Sequence, residues 1–201
     1  MADAPIRIAP RAEAQLPWYL RPFFWAQRRK FGKALDAALV WARSPRLFLG
    51  VAFLYGMIDR RSSPLTPALR SLLTVRVSQL NHCPFCVDIN AATLLQRGVG
   101  EEKVMALMGW RDSNLFDAVE RAALAYAEAM TLSGLGVGDD AIAGLRQHFS
   151  DDAIVELTGL IAFQNLSSKF NAALAVPPQG FCALPVPAAA PMAQEGGQAL
   201  S

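Results

Sequence analysis

Cys83 and Cys86 stand three residues apart in the element Cys-Pro-Phe-Cys. That spacing lets two sulfurs close into a small disulfide, so that one thiolate attacks an oxidant or a disulfide and the other resolves the intermediate. The reacting species is the thiolate, and the unpaired N–H groups and dipole at a helix amino end favour it. His82 directly precedes the pair and has an ordinary pKa near neutrality, which suits it to stabilise a thiolate or carry a proton. Asp88 is close enough in sequence to affect the same sulfurs, and Gln79 and Asn81 have the polarity to orient a thiol or a substrate. Each also has a structural reading: His82 as a cap on the preceding helix, Asp88 as a solvated helix residue, Gln79 and Asn81 as partners of backbone groups at a helix end.

A metal is not expected. Tetrahedral zinc would need two ligands besides Cys83 and Cys86, and only His82, His148, Cys182 or a carboxylate is on hand, with no second pair of cysteines or histidines at ligand spacing. No cofactor is implied either. Cys182 lies far along the chain, and a lone cysteine is more often packed than reactive.

The elements that must hold the pair read as helices. Thr66 followed by Pro67 is a helix start, and Leu69, Leu72, Leu73, Val75, Val77 and Leu80 give the following helix an apolar seam broad enough to be buried on most sides. A second helix opens at Cys83 with Pro84 in its first turn and closes at Gly98, which places the dithiol at a helix amino end. Upstream, Phe24, Phe31, Leu35, Leu39 and Ala42 recur at helical spacing from Pro22 until Ser44 and Pro45 break the pattern, and Leu47 to Ile58 reads as a buried helix. Downstream, a short helix spans Glu101 to Met108 and a longer one Ser113 to Thr131. Another short helix runs from Asp139 to near Phe149, and a last long one from Ser150 to about Ala175.

No segment shows strand alternation, so the expected fold class is all-α. Residues 1–21 read as an extended amino-terminal arm, 22–176 as the helical domain, and 177–201, rich in Pro and Ala, as a carboxy-terminal tail that is mobile beyond about Pro187.

With 201 residues and 53% hydrophobic composition the chain can bury a sizeable core. Its formal charge of +2 marks neither a nucleic-acid binder nor a trap for acidic substrates. The cluster Arg28, Arg29, Lys30 and Lys33 beside Phe23, Phe24 and Trp25 reads as a solvated face on an oligomer rather than a lipid or nucleic-acid site. The apolar run to Ile58 is too short to cross a bilayer, and the amino terminus lacks the apolar stretch of a signal peptide, so a cytoplasmic location is expected. Glu120 and Glu128 read as solvated or intersubunit ion-pair partners. Gln164, Asn165, Ser167 and Ser168 give the last helix a polar patch suited to an interface or a pocket.

The run from Arg76 to Asn90, Arg-Val-Ser-Gln-Leu-Asn-His-Cys-Pro-Phe-Cys-Val-Asp-Ile-Asn, resembles the signature helix pair of the carboxymuconolactone decarboxylase superfamily, particularly its alkyl hydroperoxidase D-like branch. The likeness extends over about residues 45–176 and includes the Gly-Val-Gly-Glu-Glu-Lys-Val segment after the motif and the closing segment from Glu156 to Asn171. It implies the alkyl hydroperoxidase D-like helical fold, assembly into homotrimers or homohexamers, and a peroxiredoxin-like thiol oxidoreductase. Such an enzyme reduces a small-molecule hydroperoxide or disulfide and draws electrons from a thiol reductant. It further implies Cys86 as the nucleophile that becomes a sulfenic acid and Cys83 as its proton donor and resolving partner. The peroxidase pattern carries a glutamate twelve residues before the first cysteine and a histidine four after the second, where this chain has Ser71 and Asn90. Serine and asparagine do no acid-base work near neutral pH, so hydroperoxide turnover is expected to be slow. An oligomeric oxidant sensor or ligand-binding protein is the alternative in another class. A decarboxylase is less favoured, because that branch does not depend on the paired cysteines.

Overall fold

A computed structural model describes residues 6–187 of the chain. The expected mobility of the tail beyond about Pro187 falls outside these residues. Among them there are helices and turns and no strand. We number the helices α1 (Arg21–Phe31), α2 (Asp36–Trp41), α3 (Pro45–Ile58), α4 (Pro67–Leu80), α5 (Pro84–Gln96), α6 (Glu101–Ala106), α7 (Ala118–Thr131), α8 (Asp139–Arg146) and α9 (Asp151–Ala173). A 3-10 segment, Leu107–Asp112, follows α6.

The core is built around α4. The Thr66 side chain accepts from the Leu69 amide and Pro67 occupies the first turn, so the helix starts where its sequence dictates. It packs against α5, α7 and α9, and Leu72, Leu73, Val75 and Val77 are almost wholly buried. Burial on all sides takes in a charge as well: Arg70 is 4% exposed, and its guanidinium is held by Asp59 at 3.1 Å and by the Leu65 carbonyl at 2.6 Å. A buried guanidinium is tolerated only when its donors are matched in this way.

A second apolar cluster joins the amino-terminal arm to the first helices. Leu16 and Leu20 from the arm pack with Phe24, Leu39, Trp41 and Phe48. The arm is tied down by its backbone: Arg7 N donates to the Leu174 carbonyl at 3.0 Å and Arg11 N to that of Leu39 at 3.3 Å.

Several boundaries and exposures differ from expectation. The helical pattern from Pro22 to Ala42 is two helices, because Gly32 takes φ 77° and its amide closes α1 on the Arg28 carbonyl. That left-handed cap is cheap for glycine and stops the helix although the apolar period runs on. Helix α7 starts at Ala118 rather than Ser113, because Asp117 and Glu120 form a reciprocal capping box there. Helix α3 is not buried: Phe48 is covered, while Leu47, Leu49, Phe53, Leu54 and Met57 are exposed, Phe53 at 69%. Apolar periodicity shows that a helix wants a partner, and among the described residues none covers this face. Glu120 and Glu128, expected to be solvated or intersubunit ion-pair partners, find partners within the chain. Glu120 binds Lys103 at 2.6 Å, and the buried Glu128 accepts from Arg76 and Trp110 at 2.8 Å and also from Arg111.

Candidate functional site

The turn between α4 and α5 sets the cysteine pair. His82 takes a left-handed conformation with φ 50°, and Cys83 returns to an extended one as the N-cap of α5. A non-glycine residue at positive φ is held there by its surroundings; here the amides of His82 and Cys83 donate back to the carbonyls of Gln79 and Ser78 at 3.1 Å each. Pro84 then sits in the first turn, where its missing N–H leaves nothing unpaired. The Cys83 sulfur accepts from the Cys86 amide at 3.2 Å, a capping role usually filled by Ser, Thr, Asp or Asn. The two cysteines are joined in a disulfide with their Cα atoms 5.3 Å apart, well inside bonding reach.

The two sulfurs meet different surroundings. Cys83 is fully buried in a cluster with Leu35, Phe85 and Val176, against which Phe181 packs. Cys86 lies on the wall of a cavity of about 390 Å³ formed where α1, α2, α3, α5 and α9 meet. Phe31, Trp41, Val51, Tyr55, Phe85 and Phe163 make much of that wall apolar. Desolvation, and after it the nearby Asp59 carboxylate, raise the Tyr55 phenol above its ordinary pKa, so it is a neutral donor at physiological pH even though half of the side chain is exposed.

The polar part of the wall is a network of amides and hydroxyls. Asn90 Nδ2 and Gln164 Nε2 donate to Ser78 Oγ at 3.1 and 2.9 Å, and Ser78 Oγ donates to the Thr74 carbonyl at 2.6 Å. Asn171 Nδ2 donates to the Cys86 sulfur at 3.4 Å, and Asn171 Oδ1 accepts from the Trp41 indole at 3.3 Å. The Trp41 ring is itself stacked on Phe170, with centroids 3.6 Å apart.

Of the residues singled out in the sequence, Cys86 and Asn90 share the cavity wall, and Cys83 lies directly behind. Ser71 is buried within α4 and is not part of that wall. Gln79 is buried, accepts from Arg76 and donates to the Pro187 carbonyl, both at 3.4 Å. Asp88 is not a solvated residue: it is 8% exposed, and its two oxygens accept from the Gln179 and Cys182 amides at 2.7 and 2.8 Å. It fastens the segment after α9 across the Cys83 side. His82 is partly exposed in its turn and stays off the cavity wall. Cys182 is half-buried and packs against the main core.

Asn171 and Trp41 were not singled out. Asn171 lies seven residues after Gln164, with Ser167 and Ser168 between, so it continues the polar face already visible on the last helix. Nothing in local sequence marks Trp41, whose role depends on α2 and α9 meeting. Among the described residues, no helix is long and apolar enough to cross a membrane.

A chain all-helical over its described residues, with a cysteine pair at a helix amino end joined across a sharp turn to a buried helix, defines a class. The chain belongs to the Carboxymuconolactone decarboxylase family, whose model matches residues 48–129. The uncharacterized protein YnjA of Escherichia coli is 41% identical over 172 residues, which span 86% of this chain and 94% of that one. Among solved structures, an uncharacterized peroxidase-related protein of Ralstonia eutropha, described as an alkylhydroperoxidase AhpD core, matches with a TM-score of 0.77 at 22% identity, covering 88% of this chain and 94% of that one. The apo debrominase Bmp8 matches with a TM-score of 0.76 at 23% identity, covering 87% and 92%. These two likenesses are of fold.

Proposed function

We propose that the protein is a thiol-dependent oxidoreductase, a weak hydroperoxidase or disulfide reductase, in which Cys86 attacks and Cys83 resolves. The observation that carries this reading is the placement of the Cys86 sulfur on a cavity wall with Cys83 bonded directly behind it. With a hydroperoxide, the Cys86 thiolate attacks the terminal oxygen, the O–O bond breaks, and the alcohol leaves after taking up a proton. Cys83 then attacks the resulting sulfenic acid, the S–S bond forms, and the hydroxyl departs as water. A thiol reductant returns two electrons by disulfide exchange. His82, next to Cys83, is the group we assign to proton transfer. The mostly apolar wall favours an oxidant with an organic body over hydrogen peroxide.

The test is to mix reduced protein with cumene hydroperoxide and count thiols. The expected result is loss of two thiols per chain, an intramolecular Cys83–Cys86 bond by mass spectrometry, and several turnovers with excess dithiothreitol. No loss of thiol sinks the reading. The non-titrating network around Asn90 favours a second reading, an oxidant sensor, which would react once per dithiol and fail to cycle. A decarboxylase reading gains nothing from Glu120 and Glu128, which are engaged within the chain.

We further propose that the protein works in the cytoplasm as a homotrimer or homohexamer, with the exposed apolar face of α3 as a contact. A monomeric mass by light scattering at micromolar concentration would refute the assembly.

A further inference from the structure

Asn171 is the one side chain that donates a hydrogen bond to either cysteine sulfur among the described residues. Its amide orientation follows from donor and acceptor chemistry. The Trp41 indole N–H can only donate, so the group facing it must be the Asn171 oxygen, and the group left facing Cys86 must be the NH2. The residue is 2% exposed, its side-chain amide is engaged at both ends by Trp41 and Cys86, and its backbone carbonyl separately accepts from Val176 at 3.0 Å.

We propose that Asn171 is a catalytic residue of the dithiol site: its amide stabilises the Cys86 thiolate and so selects Cys86, rather than Cys83, as the nucleophile, with Trp41 as the positioning residue that aims it. This deepens the thiol-oxidoreductase reading and rests on it. The helix amino end does not make the selection, because the backbone donor there is spent on Cys83. A buried thiolate without a donor is disfavoured by desolvation, and a hydrogen bond to the charged form offsets that. The other titratable groups on the cavity wall are Lys30 from α1 and Tyr55 from α3; Asp88, on the same helix as Cys86, is occupied by the tail amides. None of these makes a hydrogen bond to the sulfur, whereas Asn171 does.

The experiment measures the Cys86 thiolate by absorbance near 240 nm against pH in the full chain carrying Cys83→Ser and Cys182→Ser. In that background Asn171→Asp, which is isosteric but turns an acceptor towards the sulfur, is expected to raise the Cys86 pKa by about one unit or more. Trp41→Phe keeps an aromatic wall and removes only the aiming bond; it is expected to produce a smaller rise in the same direction. Circular dichroism and thermal melting identify any variant that has simply lost its fold, and Asn171→Ser then serves as a smaller replacement that still offers a hydroxyl donor and is expected to fall between wild type and Asp. A Cys86 pKa that is the same in the folded Asp, Ser and wild-type proteins overturns the proposal. That outcome leaves the redox reading standing if Cys83 and Cys86 still form their disulfide in the otherwise unaltered chain, so the two failures are distinguishable.

Discussion

The two sides of the cysteine pair are built to different specifications. On the Cys83 side the sulfur is sealed by Leu35 and Val176, and the segment after α9 is fastened across it by Asp88. On the Cys86 side there is a cavity with aromatic walls and a single amide turned to the sulfur. Both sulfurs are nearly inaccessible by surface measure, at 0% and 2%, so exposure does not separate them. What separates them is whether there is room beside them for another molecule. A protected sulfur suits the resolving role, which requires contact only with its partner, whereas the attacking sulfur needs space for a substrate.

The sharpest way to break this contrast is to remove the sulfurs one at a time. Cys86→Ser is expected to abolish oxidant consumption. Cys83→Ser should still react once and accumulate a sulfenic acid that dimedone traps. If dimedone labels Cys83 in the Cys86→Ser protein as readily, the two sides are equivalent and the assignment of roles is wrong.

Next in size is the missing relay. General acid-base assistance contributes about 100-fold to 10,000-fold in rate, and Ser71 and Asn90 supply none. Ser71→Glu combined with Asn90→His is expected to raise peroxide-dependent turnover measurably, each single change less. The Asn90 change also removes a donor to Ser78, so part of the gain is offset by lost packing order. A wild-type rate that is already high and falls in His82→Gln would show that His82 already carries the proton.

A smaller effect is expected from loosening the sealed side. Asp88→Ala removes the acceptor of two backbone amides, which should cost about 1–3 kcal/mol in denaturant unfolding. It should also speed alkylation of Cys83 in the reduced protein while leaving alkylation of Cys86 little changed. Equal acceleration at both sulfurs would mean that the tail covers the site as a whole. Smallest is the rim of the α3 face, where Arg60 pairs with Glu156 at 2.5 Å. The Arg60 hydrogen bond holds the Glu156 pKa below its ordinary value, so any stabilisation is present above that ordinary value and is lost as pH falls through the lowered one. Because the pair lies at the surface, where solvent screens it, Glu156→Gln should lower stability only slightly at neutral pH and not measurably in acid.

Much of this architecture is legible in the sequence where a local rule decides the outcome. Thr66 and Pro67 start α4 and Gly98 closes the turn after α5, since a cap and a left-handed glycine are short-range chemistry. Cys83 at the amino end of α5 is legible for the same reason. The stop at Gly32 is hidden in the sequence because the apolar period from Phe24 to Ala42 continues across it, and a period records which face is buried without recording where the backbone breaks. The exposure of α3 could not be read, because an apolar helix looks the same whether its partner is its own chain or another. At the site, the sulfurs and Asn90 were within reach of motif spacing, whereas the hydrogen bonds of Asn171 and Trp41 to one another and to Cys86 span 130 and 85 residues and exist only once α2, α5 and α9 have met.

The Trp41 indole is therefore one hydrogen-bonded residue away from the Cys86 sulfur, stacked on Phe170 and 6% exposed. Trp18 and Trp25, by contrast, are largely open to solvent. The chain thus carries its own optical gauge: Trp41 emission should change when the neighbouring bond opens or closes, and a soluble quencher such as iodide can silence the exposed indoles first. Trp110 is also buried, at 3%, but is held by Glu128 away from the pair and gives a constant background; with Trp110→Phe to remove it, the redox state of the pair can be followed in unlabelled protein, in real time and without taking samples.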